Sequence, residues 1–183
     1  MSQSNLVYIQ DDECGRYAIG YVFEHILKEG MLKRIFYDGT INTKEEFASL
    51  TLRPGTLPFL ALRDGEPVAF TWLNSIEGRA ARGHFIFFKN SYGKAKSIPL
   101  GNFMFSSLLS YKDAKGYILD TLIGVTPESN QLAWRRAIDC GAKYFGRIPH
   151  LAYIAERDET EDCVVVIVTR ESLGIENEVE NGK

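Results

Sequence analysis

Apolar positions along the chain fall into two regimes. Near the start they recur at three- and four-residue spacing. Tyr17, Ile19, Val22, Phe23, Ile26 and Leu27 trace one face of a helix, the pattern of an amphipathic helix laid on a core. Asp11 or Asp12 can cap it and Gly30 can stop it. Leu6 to Gln10 reads as a short strand ahead of it, and Met31 to Tyr37 is ambiguous. Thr43 to Leu50 predicts a second short helix, capped by Asn42 or Thr43, with Glu45 and Glu46 at the end where the helix dipole favours acid. Arg53 to Pro58 carries two prolines and a glycine and is a loop.

From Phe59 the chain reads as strands. Phe59 to Arg63, the hairpin pair Asp64-Gly65, Pro67 to Asn74, and Gly83 to Phe88 predict a three-stranded antiparallel meander. A polar loop, Lys89 to Lys96, follows. Helical spacing then returns in Leu100, Phe103, Met104, Ser107, Leu108 and Tyr111. Pro99 suits the first helical position, with Ser97 as cap and Gly116 as stop. Tyr117 to Val125 predicts a strand. Thr126 to Ser129 opens a helix that runs to Cys140, with Gly141 beyond its end. Lys143 to Ile148 and Leu151 to Glu156 are two strand pieces, and Cys163 to Thr169 is a buried β-branched strand. Residues 171–183 are expected to be a frayed tail. This order predicts an α+β, or mixed α/β, domain with one central sheet.

Composition narrows the function. A chain of 183 residues suits one domain, and 45% apolar with 25% charged residues rules out disorder of the whole. The net charge of −3 argues against a protein that coats nucleic acid. Cys14, Cys140 and Cys163 form no C-x-x-C, and His25, His84 and His150 form no H-x-x-x-H, so no metal site is expected. Free thiols, no signal peptide and no long apolar run point to the cytoplasm, away from the membrane.

A helix N-terminus that follows a polar loop is a natural phosphate site. Gly93-Lys94 lacks the earlier glycine of a P-loop, and no G-x-G-x-x-G occurs. Element order and several residues instead resemble the GNAT superfamily of acyl-CoA-dependent N-acyltransferases. Val125-Thr126-Pro127-Glu128-Ser129-Asn130-Gln131-Leu132-Ala133, ending at Cys140-Gly141-Ala142, is similar to that family's V-x-P-x-N-x-x-A…G-[FA] signature. The family's pyrophosphate loop, [RQ]-x-x-G-x-[GA], fits in two registers. One uses Asn90, Gly93 and Ala95. The other, preferred because it keeps Pro99 out of a helix interior, uses Lys96-Ser97-Ile98-Pro99-Leu100-Gly101.

The resemblance implies a sheet of about six to seven strands flanked by about four helices. It implies a single acyltransferase-like domain with an acceptor-side part over residues 1–56 and a cofactor core over residues 57–169. It implies acetyl-CoA as cofactor and direct attack of an amine on the thioester, with a small-molecule or peptide amine as acceptor and a homodimer left open. Cofactor contacts are expected from Phe87, Phe88, Lys96, Ser97, Ile98, Leu100, Gly101, Asn102, Asn130 and Ala133. His84 is expected as general base on the third meander strand, and Tyr144 as the acid replacing the family tyrosine, whose place Ala137 takes. Arg135 and Arg136 are within reach of a CoA phosphate or on a solvated helix face. The alternative function is a protein of the same fold that binds CoA weakly or not at all and serves as a binding module.

Overall fold

A computed structural model describes residues 3–175. Along the chain run β1 (Ser4–Tyr8), α1 (Glu13–Lys28), α2 (Leu32–Ile35), α3 (Lys44–Thr51), β2 (Leu57–Arg63), β3 (Glu66–Glu77) and β4 (Ala80–Phe87). After a 3₁₀ turn at Lys89–Ser91 come α4 (Lys94–Leu109), the small hairpin β5 (Lys112–Asp113) and β6 (Gly116–Tyr117), β7 (Thr121–Pro127), α5 (Gln131–Asp139), β8 (Lys143–Ile154) and β9 (Glu159–Thr169). Seven strands form one sheet in the order β1-β2-β3-β4-β7-β9-β8. Only β4 and β7 run parallel; every other pairing is antiparallel. This is the α+β architecture the pattern predicts.

Local chemistry sets the helix ends. Asp12 caps α1 by accepting the Gly15 N–H at 2.7 Å. Thr43 and Glu46 form a reciprocal capping box at α3, which satisfies donors the helix itself cannot. Alternation along the strands then sorts the core into two layers. Phe70, Trp72, Ile86 and Phe88 face α1 and α3, where they meet Ile19, Val22, Phe23, Ile26 and Phe47. Leu73, Ala81, Leu122, Val164, Val166 and Val168 face Phe105, Leu108 and Leu109 of α4 and Cys140 at the end of α5.

Several sequence expectations change; the strand expected over Tyr117–Val125 is β7, Thr121–Pro127, and the helix expected to open at Thr126 starts at Gln131. The helix expected between Pro99 and Gly116 starts at Lys94 and ends at Leu109, with Pro99 inside it. Pro99 removes one backbone bond. Burial of Leu100, Met104, Phe105, Leu108 and Leu109 outweighs that loss. The strand pieces on either side of His150 are one strand, β8, interrupted by a register shift between Ile148 and Ala152 and by His150 at φ 52°. The expected tail does not begin at Glu171. Glu171–Leu173 is a 3₁₀ turn, and Leu173 and Ile175 pack on the core; residues 176–183 lie outside the described residues. Among the described residues no helix is long and apolar enough to cross a membrane.

Candidate active site

The parallel neighbours β4 and β7 pair over three residues only, Ala80–Arg82 with Thr121–Ile123. From Gly83 and Gly124 onward they part. The β3-facing edge of β4 stays paired through Phe87, whereas the edge facing β7 has no strand partner beyond Arg82 among the described residues. A cleft of about 580 Å³ fills the fork. Gly83 to Phe87 line one side of it and Gly124 to Pro127 the other. Side chains alternate across it. Arg82, His84 and Ile86 point to the layer of α1 and α3, and Phe85 and Phe87 to the layer of α4. The cleft therefore joins the two faces of the sheet.

On the α4 side it ends at the first turn of that helix. Gly93 caps α4 at φ 91°, ψ 145° without a side-chain hydrogen bond. Few residues other than glycine hold such a conformation. The first N–H groups of the helix have no intrahelical acceptor and carry the positive end of its dipole. Lys94 and Lys96 flank them. Behind the turn, Arg136 Nη1 donates to Ser97 Oγ at 2.7 Å, and Ser97 Oγ donates to the Gly93 carbonyl at 2.7 Å. This relay ties the turn to α5. Asn130, at the N-terminus of α5, lines the cleft with Ala133, Arg136 and Ala137.

On the other side the cleft opens under the segment 31–41, lined by Arg34, Phe36, Tyr37 and Asp38. His84 stacks on Trp72, with ring centroids 4.5 Å apart and planes 1° from parallel. Its Nε2 lies 3.3 Å from Asn74 Oδ1. Burial first, then the charges of Arg82 and Arg53, push its pKa down from 6.5 to about 3.

The structure brings together His84, Phe87, Ser97, Asn130 and Ala133 of the expected site residues. It does not bring in the rest. Phe88 is buried in the opposite layer, 4.5 Å from the His25 ring. Lys96, Ile98, Leu100, Gly101 and Asn102 lie within α4 rather than on a loop, so from the second turn onward their backbone N–H groups belong to the helix ladder. Gly101 packs on Cys140, where a Cβ would fall 2.4 Å from Sγ. The preferred register rests on Pro99 opening the helix; the helix opens instead after Gly93, next to Asn90 and Ala95 of the other register. Tyr144 is 55% exposed on β8, outside the cleft lining. His84 lines the cleft, but a base of ordinary histidine strength gives way to a neutral, hydrogen-bonding imidazole.

Sequence reasoning missed Tyr37, Arg82 and Tyr92 as cleft residues. Arg82 could have been found from its same-face spacing to His84; the tyrosines enter through long-range packing. Burial raises the pKa of both phenols. It also raises that of the Cys140 thiol, to about 11, so Cys140 is no nucleophile at neutral pH.

No protein-family model and no curated protein sequence matches the chain. Solved structures do match. Spermidine N-acetyltransferase from Vibrio cholerae, in complex with CoA and spermine, is 14% identical with a TM-score of 0.69, over 93% of this chain and 98% of that one. The microcin C7 self-immunity acetyltransferase MccE, in complex with acetyl-CoA and AMP, is 11% identical with a TM-score of 0.68, over 91% and 92%. Aminoglycoside acetyltransferase AAC(6')-Ib, with coenzyme A and kanamycin, is 13% identical with a TM-score of 0.68, over 94% and 98%. The chain shares the fold of these three acetyltransferases.

Proposed function

We infer that the protein is an N-acyltransferase that takes an acetyl group from acetyl-CoA and passes it to an amine. The observation that carries this reading is the fork of β4 and β7, three paired residues deep and opening onto the uncapped first turn of α4. The site's chemistry fits the cofactor. The diverging strand edges offer backbone partners for the amides of an extended pantetheine arm. The α4 first turn, with Gly93, Lys94 and Lys96, suits a pyrophosphate. When bound, acetyl-CoA supplies a thioester activated for acyl transfer.

The chain's own groups have separable tasks. The backbone N–H groups of the β4 edge beyond Arg82 are the donors available to a developing oxyanion. The amine must arrive neutral, and the proton it sheds on attack passes to water, while His84 and Asn74 offer it hydrogen bonds. His84, neutral at pH 7, holds the nitrogen in place better than it stores the proton. Tyr37 and Tyr92 line the cleft and stay protonated, so either can supply the proton that the departing sulfur takes. Residues 1–56 supply part of the acceptor wall, through the segment 31–41, and the sheet residues Trp72, Asn74, Arg82 and His84 supply the rest; the cofactor side lies within residues 57–169. Three free cysteines, Cys14, Cys140 and Cys163, suit a reducing compartment such as the cytoplasm. A homodimer would find its apolar surface at the β8 edge, where Tyr144, Phe145 and Ile148 are exposed.

Calorimetry with acetyl-CoA, followed by a free-thiol assay with an amine panel, tests the function. Micromolar binding and acceptor-dependent thiol release are expected. Absence of heat and of any thermal shift at millimolar cofactor would leave the binding-module alternative.

A further inference from the structure

Arg82 is the feature of the acceptor side that the transfer chemistry leaves unused. It stands on β4 two residues before His84, on the same face, opposite Asn74 in register. It lines the cleft. Its side chain is half-buried, and its Nε–H is buried with no hydrogen-bond partner. It has no carboxylate within ion-pair distance among the described residues. Its charge adds to the burial that lowers the pKa of His84 and works against the burial that raises that of Tyr37, and both side chains line the chamber beside it. A guanidinium held this way is expensive until an anion meets it. Arg34 lines the outer part of the same chamber and also lacks an ion pair among the described residues.

The acids nearby do not cancel this charge. Asp38 is the one carboxylate on the cleft lining; it is exposed, and its Oδ1 accepts from Thr40 N–H and Oγ at 3.1 and 2.8 Å. Glu161 is engaged by Ser129 and Arg157. Glu29 is engaged by His25 and the Lys89 N–H. A polycation such as spermine or kanamycin, bound by two of the structural neighbours, would meet an unpaired guanidinium here.

We propose that the acceptor is an amine bearing an oxyanion, a carboxylate or a phosphate, which Arg82 binds with its planar fork while Arg34 attracts it at the entrance. The proposal rests on the acyltransferase reading above. The fork geometry matches either anion with two parallel hydrogen bonds. Trp72 and Phe36 wall the chamber, so the part of the acceptor between amine and anion meets an apolar surface.

The test uses the full chain, acetyl-CoA and four acceptor sets of similar size: free amino acids, aminoalkyl phosphates, amino-acid amides, and the polycations spermidine and kanamycin. Thiol release and calorimetry of each acceptor with the CoA-loaded and the free protein are both read. One anionic set is expected to bind and react, and which one identifies the anion. Its amide counterpart should be weaker by about 10- to 100-fold. Arg82→Gln should raise KM for the anionic acceptor by a similar factor, leave kcat for the amide and the affinity for acetyl-CoA unchanged, and keep Tm. Arg82→Lys should restore part of the loss. Preference for a polycation, equal loss on charged and amide acceptors, or no heat from any anionic member overturns the proposal. If acetyl-CoA gives no heat, the acyltransferase reading fails separately, and heat from an anion on the free protein that disappears in Arg82→Gln still reports the anion site.

Discussion

Gly101 of α4 sits against Cys140 at the end of α5, so closely that a Cβ on the glycine would fall 2.4 Å from Sγ and 3.0 Å from the cysteine Cβ. Residues of both helices line the same end of the cleft, and this contact sets their spacing. Replacing Gly101 by alanine gains helix propensity but wedges α4 away from α5. The net cost should be about 1–3 kcal/mol. Cys140→Ala removes the sulfur, so Gly101→Ala should cost measurably less in that background. Urea unfolding of the four proteins of the cycle reads the coupling, and strict additivity would show that the helices do not meet there.

Gly93 owes its identity to backbone angle rather than to crowding. A Cβ there would meet nothing within 4 Å, yet φ is 91°. Gly93→Ala should therefore cost about 1–3 kcal/mol through strain. Gly93→Glu adds a carboxylate beside the proposed pyrophosphate and should weaken acetyl-CoA by at least about tenfold. Gly101→Glu should lower Tm first. Calorimetry and thermal melts on the two variants separate a ligand-binding glycine from a packing glycine; the opposite assignment would restore the register through Gly101.

These two glycines also show where the sequence was legible and where it was not. Strand alternation, the Asp64-Gly65 turn and the Thr43 cap are local signals, and they emerge in the fold with the expected partners. The start of α4 was misplaced because a proline inside a helix is locally unfavourable, whereas the deciding energy is burial of Leu100 and Met104 against the sheet. That shift carried the expected phosphate contacts about two turns into the helix. The chamber under the segment 31–41 was illegible for a related reason. Tyr37 and Arg82 are 45 positions apart in numbering and meet only once the segment 31–41 folds over the fork. Asn130 and Ala133, quoted from one contiguous stretch, both come to line the cleft because a short stretch at a helix start keeps its residues together.

The Arg136–Ser97–Gly93 relay predicts a variant that weakens the proposed cofactor site by loosening the first turn of α4. Ser97→Ala leaves the Gly93 carbonyl and the Arg136 guanidinium each one partner short. About 1 kcal/mol of stability should be lost, with a several-fold drop in acetyl-CoA affinity as the turn loosens. Ser97→Thr retains the hydroxyl and should recover most of both. An affinity loss in Ser97→Ala equal to that in Ser97→Thr would assign the effect to shape rather than to the relay.

His84 predicts a pH dependence of folding. In the unfolded chain the ring titrates near 6.5, whereas in the folded protein burial and the Arg82 and Arg53 charges hold it near 3. Between those values the unfolded state binds a proton that the folded state refuses. Stability from this residue is therefore full above pH 6.5 and is lost progressively as pH falls toward 3. At pH 5 the loss should reach up to about 2 kcal/mol relative to neutral pH. His84→Asn keeps a polar side chain opposite Asn74 but cannot take the proton, so the difference in urea stability between pH 7 and pH 5 should shrink by that amount. The same variant asks whether the imidazole carries protons in turnover. With a ring held neutral throughout, the acid limb of kcat/KM should not follow a histidine titration near 6.5, and loss of such a limb in His84→Asn would overturn the neutral assignment.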